Sequence, residues 1–123
     1  MDERKRARAR GVLGEVRAEQ FLLARGMEIV ERNAELAGAE IDLIARDGKT
    51  VVFVEVKTRS GARGVPGRMA VTPAKQRRIC RGALAYLARS GLMGAQARFD
   101  VIEIQGERVT HIENAFPYQG PAL

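Results

Sequence analysis

The chain has 123 residues, 46% of them hydrophobic, with 21 Lys and Arg against 15 Asp and Glu for a formal charge of +6 and a pI near 10.2. That length builds one domain around a single core and leaves no room for two. The lone cysteine, Cys80, excludes an internal disulfide and a cysteine-based zinc site, and no apolar run approaches a membrane span. The expectation is a protein of the reducing cytoplasm with no membrane role.

The distribution of charge says more than its sum. Between Glu55 and Asp100 there is no acidic residue, while Lys57, Arg59, Arg63, Arg68, Lys75, Arg77, Arg78, Arg81, Arg89 and Arg98 all fall there. Solvated faces usually mix signs, so this segment points to a polyanion, and nucleic acid is the expected partner. Six aromatics and no Trp disfavour a base-stacking platform and favour readout of backbone and shape.

In chain order, residues 1–10 form a basic arm, either a frayed terminus or a phosphate-binding extension, residues 11–116 the domain, and residues 117–123 a tail. The arm is not followed by the apolar core of a signal peptide. Helical spacing runs over residues 12–25, with Val12, Val16, Glu19 and Leu23 in one stripe, Glu15, Ala18 and Leu22 in the next, and Gly26 as the stop. Glu15 then sits beside the face turned to the sheet. Either it reaches solvent from the helix edge or it serves as a further metal or water ligand. Residues 27–32 read as a first strand and residues 33–38 as a loop.

Residues 38–59, GAEIDLIARDGKTVVFVEVKTR, read as a hairpin turned at Asp47-Gly48. Counting from that turn pairs Arg46 with Lys49, Ile44 with Val51, Asp42 with Phe53 and Glu40 with Glu55. Side chains alternate with period two, so Glu40, Asp42, Glu55 and Lys57 share one face at the end away from the turn. Opposed side chains lie about 5 Å apart, and like charges at that range destabilise a strand pair. Lys57 is one cation against three carboxylates. A divalent ion supplies the rest: Mg²⁺, or Mn²⁺ in its place, takes hard oxygen ligands, and Asp42, Glu55, Glu40 and the carbonyl of Val56 are the candidates. Beside these carboxylates the pKa of Lys57 is expected to be high, favouring an electrostatic role over general-base action.

Residues 58–71, rich in Gly and Arg, form a long loop able to close over phosphates. Thr72-Pro73 starts a second helix that ends near Ser90-Gly91, with Ile79, Ala83, Tyr86 and Leu87 as its buried stripe and Cys80 as inert core. Lys75, in its first turn, either points to the carboxylates or is an ordinary solvated lysine; Arg77, Arg78 and Arg81 look outward. With Arg59, Arg63 and Arg68 these make the expected nucleic-acid-binding set. Residues 98–105 and 108–113 form a closing hairpin at Gly106-Glu107. Asp100 reads as structural, partnered by Arg98 or a loop arginine, and His111 as a strand-edge residue.

Gly14-Glu15 with Ala18 and Leu22, Arg32-Asn33, GAEIDLIARDG, VFVEVKTR, Lys75, RFDVIEI from Arg98 and Asn114-Ala115-Phe116 together resemble the bacterial UPF0102, or YraN-like, family over nearly the whole chain. Ile41 stands before Asp42 where the wider superfamily has Pro, and Ala39 replaces the second glycine of the common GGEIDLI form. The resemblance implies a restriction-endonuclease-like α/β fold of the PD-(D/E)xK superfamily, similar to archaeal Holliday junction resolvases, with a central mixed five-stranded sheet flanked by helices in the order α-β-β-β-α-β-β. It makes Asp42 the superfamily aspartate, Glu55 and Lys57 the E-x-K pair and Glu15 the first-helix glutamate. The implied function is a Mg²⁺-dependent endonuclease on DNA, branched or structured DNA included, working as a homodimer by analogy with resolvases. The alternatives are a nucleic-acid-binding module that does not cut and a nuclease for structured RNA.

Overall fold

Val51, Val52, Phe53 and Val54 are all buried, and they divide between two cores, Val51 and Phe53 facing one and Val52 and Val54 the other. Adjacent residues of a strand point to opposite sides, so a strand apolar on both must be covered on both. The computed structural model, which describes residues 3–59 and 71–120, supplies the two covers. Its elements are α1 (Glu3–Ala24), β1 (Glu28–Leu36), β2 (Ala39–Asp47), β3 (Thr50–Arg59), α2 (Pro73–Arg89), β4 (Ala97–Gln105) and β5 (Arg108–Phe116). The strands lie in the order β1-β2-β3-β4-β5. β3 and β4 are parallel and the other pairs antiparallel, a mixed five-stranded sheet in an α/β chain. Parallel neighbours need a crossover, and α2 provides it. No helix among the described residues is long and apolar enough to cross a membrane.

Helix α2 packs Ile79, Cys80, Ala83, Tyr86 and Leu87 onto Ile44, Val51, Phe53, Phe99 and Val101. Its start is as expected, with Thr72 accepting from the Lys75 amide at 3.2 Å and Pro73 following. On the other side α1 buries Ala18 and Leu22 against Leu43, Ala45, Val52, Val54, Ile102 and Ile104. The more apolar stripe of α1 faces away: Val12, Val16 and Leu23 are 44 to 57% exposed. Close approach explains this reversal. Gly14 lies so near β3 that a Cβ there would collide with Thr58 Oγ1, so α1 turns its smallest residues to the sheet. The helix also begins at Glu3, ahead of the expected start.

The central hairpin forms with a different turn. Asp47 pairs with Thr50, Arg46 with Val51 and Ile44 with Phe53, which puts Gly48-Lys49 at the turn rather than Asp47-Gly48. Gly48, at φ 62°, takes the first turn position, where positive φ suits it. Register slips by two residues, an even number, so the paired residues 43–47 and 50–54 keep the faces assigned to them. Residues 33–36, expected in a loop, extend β1, and the β1–β2 turn falls at Ala37-Gly38.

Asp100 is buried in β4 beside Val54 of β3, with Arg98 Nε at 3.1 Å, His111 Nε2 at 2.8 Å and the Asn114 amide at 3.1 Å. His111 is therefore more than a strand-edge residue: its side chain is 2% exposed and meets Phe21 of α1 edge-on. Spacing places it on an edge strand, and only the presence of α1 buries it. Burial alone would raise the Asp100 pKa, but the hydrogen bonds from His111 and Arg98 outweigh it and hold the carboxyl below the usual carboxylate range.

The contact between Gly14 and Thr58 gives a direct test. Gly14→Ala is expected to push α1 off β3 and destabilise the protein by about 1–3 kcal/mol, read from the midpoint of urea unfolding. Adding Thr58→Ala should restore most of that loss, whereas no restoration would mean that some other contact sets the helix position.

Candidate active site

The β2–β3 ladder runs from Asp47 and Thr50 only as far as Leu43 and Val54. Beyond that point β3 continues, paired with β4 alone through Arg59, while β2 continues paired with β1 to Ala39. The sheet forks. In the fork the Val56 amide donates to the Asp42 carboxylate, Oδ2, at 2.8 Å, so a side chain takes the place of a ladder acceptor. That bond holds one oxygen of Asp42 and leaves the other to the cleft.

Glu55 comes from β3 on the same face, one position past the last ladder pair, and is 5% exposed. Its Oε1 receives two ammonium groups, Lys57 Nζ at 3.4 Å and Lys75 Nζ at 2.5 Å. Of the two readings the sequence left open for Lys75, the inward one is found: α2 carries it across the mouth of the fork onto Glu55. Two adjoining hollows meet at this point, of about 280 and 440 Å³, and both are lined by Glu40, Asp42, Glu55 and Lys75. Arg78 borders the smaller; Glu15, Val56 and Lys57 border the larger. A separate hollow of about 290 Å³ beneath α2, lined by Phe53, Leu87, Met93, Phe99, Phe116 and Tyr118 among others, is mainly apolar and remote from the carboxylates.

The electrostatics follow from burial. Asp42 is pushed up to about 7 by desolvation first and then by the negative charge of Glu55, against which the Val56 hydrogen bond is insufficient. Glu15, reaching in from α1, is raised in turn by burial and by the charges of Glu40 and Glu55. Lys57 departs from the sequence expectation, because its pKa is lowered and not high. Burial disfavours its charge, and the neighbouring Lys75 ammonium adds to that more than Glu55 relieves it. For Lys75 burial also works against the charge, but its hydrogen bond to Glu55 prevails and raises its pKa. Within this pair Lys75 is the firmer cation.

Sequence reasoning assigned no role to Asn33. It sits in β1 at φ 49°, a left-handed conformation rare in a strand, and with its amide turned to donate, its nitrogen lies 3.0 Å from Glu15 Oε1. Asn tolerates that conformation better than most residues, which was the only signal available. Of the expected nucleic-acid-binding set, Arg77, Arg78 and Arg81 are exposed on α2, while Arg59 is half-buried against Glu103 at 3.2 Å. Arg63, Arg68 and the loop expected to close over phosphates lie outside the described residues.

The donor set can be weighed against a divalent ion. Among the described residues no three Asp, Glu, His or Cys side chains form a metal-holding group. Two carboxylates and a carbonyl suit Mg²⁺ or Mn²⁺, which keep several waters and complete their shell with substrate phosphate, better than an ion needing a full protein cage.

A model of the family described as "Uncharacterised protein family UPF0102" matches residues 14–104, a window that takes in Glu15, Asp42, Glu55, Lys57 and Lys75. The chain belongs to the UPF0102 family. It is 51% identical over 112 residues to the UPF0102 protein GSU0650 of Geobacter sulfurreducens, covering 86% of this chain and 87% of that one. It is equally similar to STH1475 of Symbiobacterium thermophilum, 51% identical over 112 residues, covering 86% and 94%. Among solved structures, one titled "Crystal structure of SSO0001" superposes with a TM-score of 0.44 at 18% identity, covering 89% of this chain, which spans 52% of that one.

The raised Asp42 gives a prediction with a definite sign. A carboxyl whose pKa is higher folded than unfolded loses stability as pH rises from the ordinary carboxylate range toward 7, and the loss is complete above it. In metal-free protein Asp42→Asn, whose amide oxygen can still accept from Val56, should be more stable than wild type by on the order of 2 kcal/mol at about pH 8.5. Thermal melts should show the gap narrowing as pH falls toward about 5. A gap independent of pH would mean that Asp42 is ionised without strain.

Proposed function

We propose that the forked cleft hydrolyses phosphodiester bonds of nucleic acid, DNA in the first instance, with a divalent cation held between Asp42 and Glu55. The observation that carries this reading is the state of Asp42: a buried carboxylate beside a second one, with its pKa raised to about 7 and no ion-pair partner among the described residues. Such a group favours binding a proton or a cation, and it lines an open cleft with room for either.

A bound Mg²⁺ or Mn²⁺ would make water more acidic and stabilise charge on the phosphate and the leaving oxygen. The Val56 amide fixes the orientation of Asp42, and the Val56 carbonyl is a further oxygen donor. Glu40 and Glu15, at the rim, are placed to hold waters, with Asn33 orienting Glu15. Lys57 orients the attacking water or neutralises the scissile phosphate. Arg77, Arg78 and Arg81 are the track for the polyanion, reading phosphate and not sequence. The single buried Cys80 is in keeping with a cytoplasmic setting.

One observation favours a second reading. Glu55 already has two ammonium partners, so the protein is tolerably balanced there without a metal, as a nucleic-acid-binding module that does not cut would be. Cleavage decides between them. With Mg²⁺ or Mn²⁺ and a panel of labelled duplex, flap, four-way-junction, single-stranded and RNA substrates, wild type is expected to cut at least one DNA form. Asp42→Ala and Glu55→Ala should lose about 10³-fold or more in rate while binding persists. Cutting by either variant at the wild-type rate would remove these residues from the chemistry. Absence of cutting across the panel, with binding retained, would favour the binding module.

The track has its own measurement. Each of Arg77→Ala, Arg78→Ala and Arg81→Ala should weaken binding to all sequences alike and reduce the slope of log affinity against log salt by about one. Unchanged slopes would place the polyanion on another face.

A further inference from the structure

The first turn of α2 breaks a rule of helix electrostatics. A helix N-terminus favours negative side chains, yet this one has no acidic residue in its first turn and carries Lys75 there. Glu55 compensates from outside the helix, because the Lys75 ammonium crosses to Glu55 Oε1 at 2.5 Å, closer than Lys57 at 3.4 Å. The oxygen that Lys75 occupies belongs to Glu55, one of the two carboxylates read as the cation's ligands. A cation bound between Asp42 and Glu55 needs an oxygen of Glu55, and the nearest competitor for it is an ammonium delivered from a different element on a long, flexible stem.

We propose that Lys75 is a built-in competitor for the divalent cation: its ammonium holds Glu55 in the metal-free protein and must leave Oε1 before the ion can use it. The inference rests on the reading of Asp42 and Glu55 as the cation's ligands. It accounts for the lysine at an unfavourable helix position, since without an ion the buried Glu55 would be left with Lys57 alone. It also makes metal affinity lower than the two carboxylates would otherwise give, and it ties that affinity to one side chain.

The test is Mn²⁺ binding to the full-length protein, followed by calorimetry and by the rise in Tm on adding MnCl2, with no nucleic acid present. Lys75→Met should bind Mn²⁺ about tenfold more tightly than wild type, the scale of one lost charge-assisted hydrogen bond. It should also melt lower without metal and gain more from MnCl2 than wild type does. Arg78→Met, which removes the same charge from the wall of the same cleft without touching Glu55, should change Mn²⁺ affinity much less. Equal tightening in Arg78→Met and Lys75→Met would show a general field effect and overturn the competition. Unchanged or weaker binding in Lys75→Met would overturn it directly. Glu55→Gln separates this inference from the reading beneath it: loss of Mn²⁺ binding there, with no tightening in Lys75→Met, rejects the competitor and keeps the metal site. Unaltered Mn²⁺ binding in Glu55→Gln rejects both.

Discussion

Much of this structure depends on the hydrogen bond from the Val56 amide to the Asp42 carboxylate. A central strand must satisfy its backbone donors, and an unpaired amide at this depth would be expensive. By accepting from Val56 itself, Asp42 lets β2 and β3 part after Leu43 and Val54 without leaving that donor stranded. Without such a substitute the ladder would have to continue and close the cleft. The same bond fixes which oxygen of Asp42 faces the opening and holds the carboxyl where desolvation and Glu55 together raise its pKa. Strand geometry and site chemistry are thus set by one contact.

The two helices bring the remaining groups to the fork from opposite faces of the sheet. α1 comes close enough to deliver Glu15 because Gly14 allows contact with Thr58, and Asn33 then holds Glu15 from β1. α2 delivers Lys75 from its first turn, and its depth is set by Ile79 and Ala83 in the core beneath. The result is asymmetric. Glu55 has two ammonium groups within ion-pair distance, whereas among the described residues Asp42 has none that close and feels Lys75 only at longer range. A divalent ion would find its electrostatic reward at Asp42 and its competition at Glu55.

The sequence made the strand faces legible because period-two alternation survives an even slip in register. Placing the turn at Asp47-Gly48 was early by one residue and put the register off by two, since Asp47 is the last paired residue of β2, yet Asp42, Glu55 and Lys57 still line one cleft. An odd slip would have separated them. Helix α1 was harder, because periodicity shows that stripes exist without saying which stripe is inward. The apolar Val12 and Val16 suggested one side, and the small residues Gly14 and Ala18, chosen by a close approach to Thr58, decided for the other. Asn33 and His111 escaped for the same physical reason: their roles depend on α1 lying across the strands, which nothing in their own segments records. The lowered pKa of Lys57 required knowing that Lys57 is partly buried and that Lys75 points inward, which spacing left undecided.

The charge pattern likewise conceals its internal pairing. The acid-free stretch between Glu55 and Asp100 suggests ten basic groups for a polyanion, but the fold brings acids to them from elsewhere. Lys57 and Lys75 meet Glu55, Arg59 meets Glu103, Arg89 meets Glu31, and Arg98 meets Asp47 and Asp100. Half of the ten are therefore engaged within the protein. Of the others, Arg77, Arg78 and Arg81 lie exposed along α2, the helix that also carries Lys75 into the cleft. A polyanion laid along these arginines would lie next to the fork, because one helix sets both the track and the lysine on Glu55. Within that stretch the described cations not drawn onto acids are Arg77, Arg78 and Arg81, on the helix that also brings Lys75 to the carboxylates.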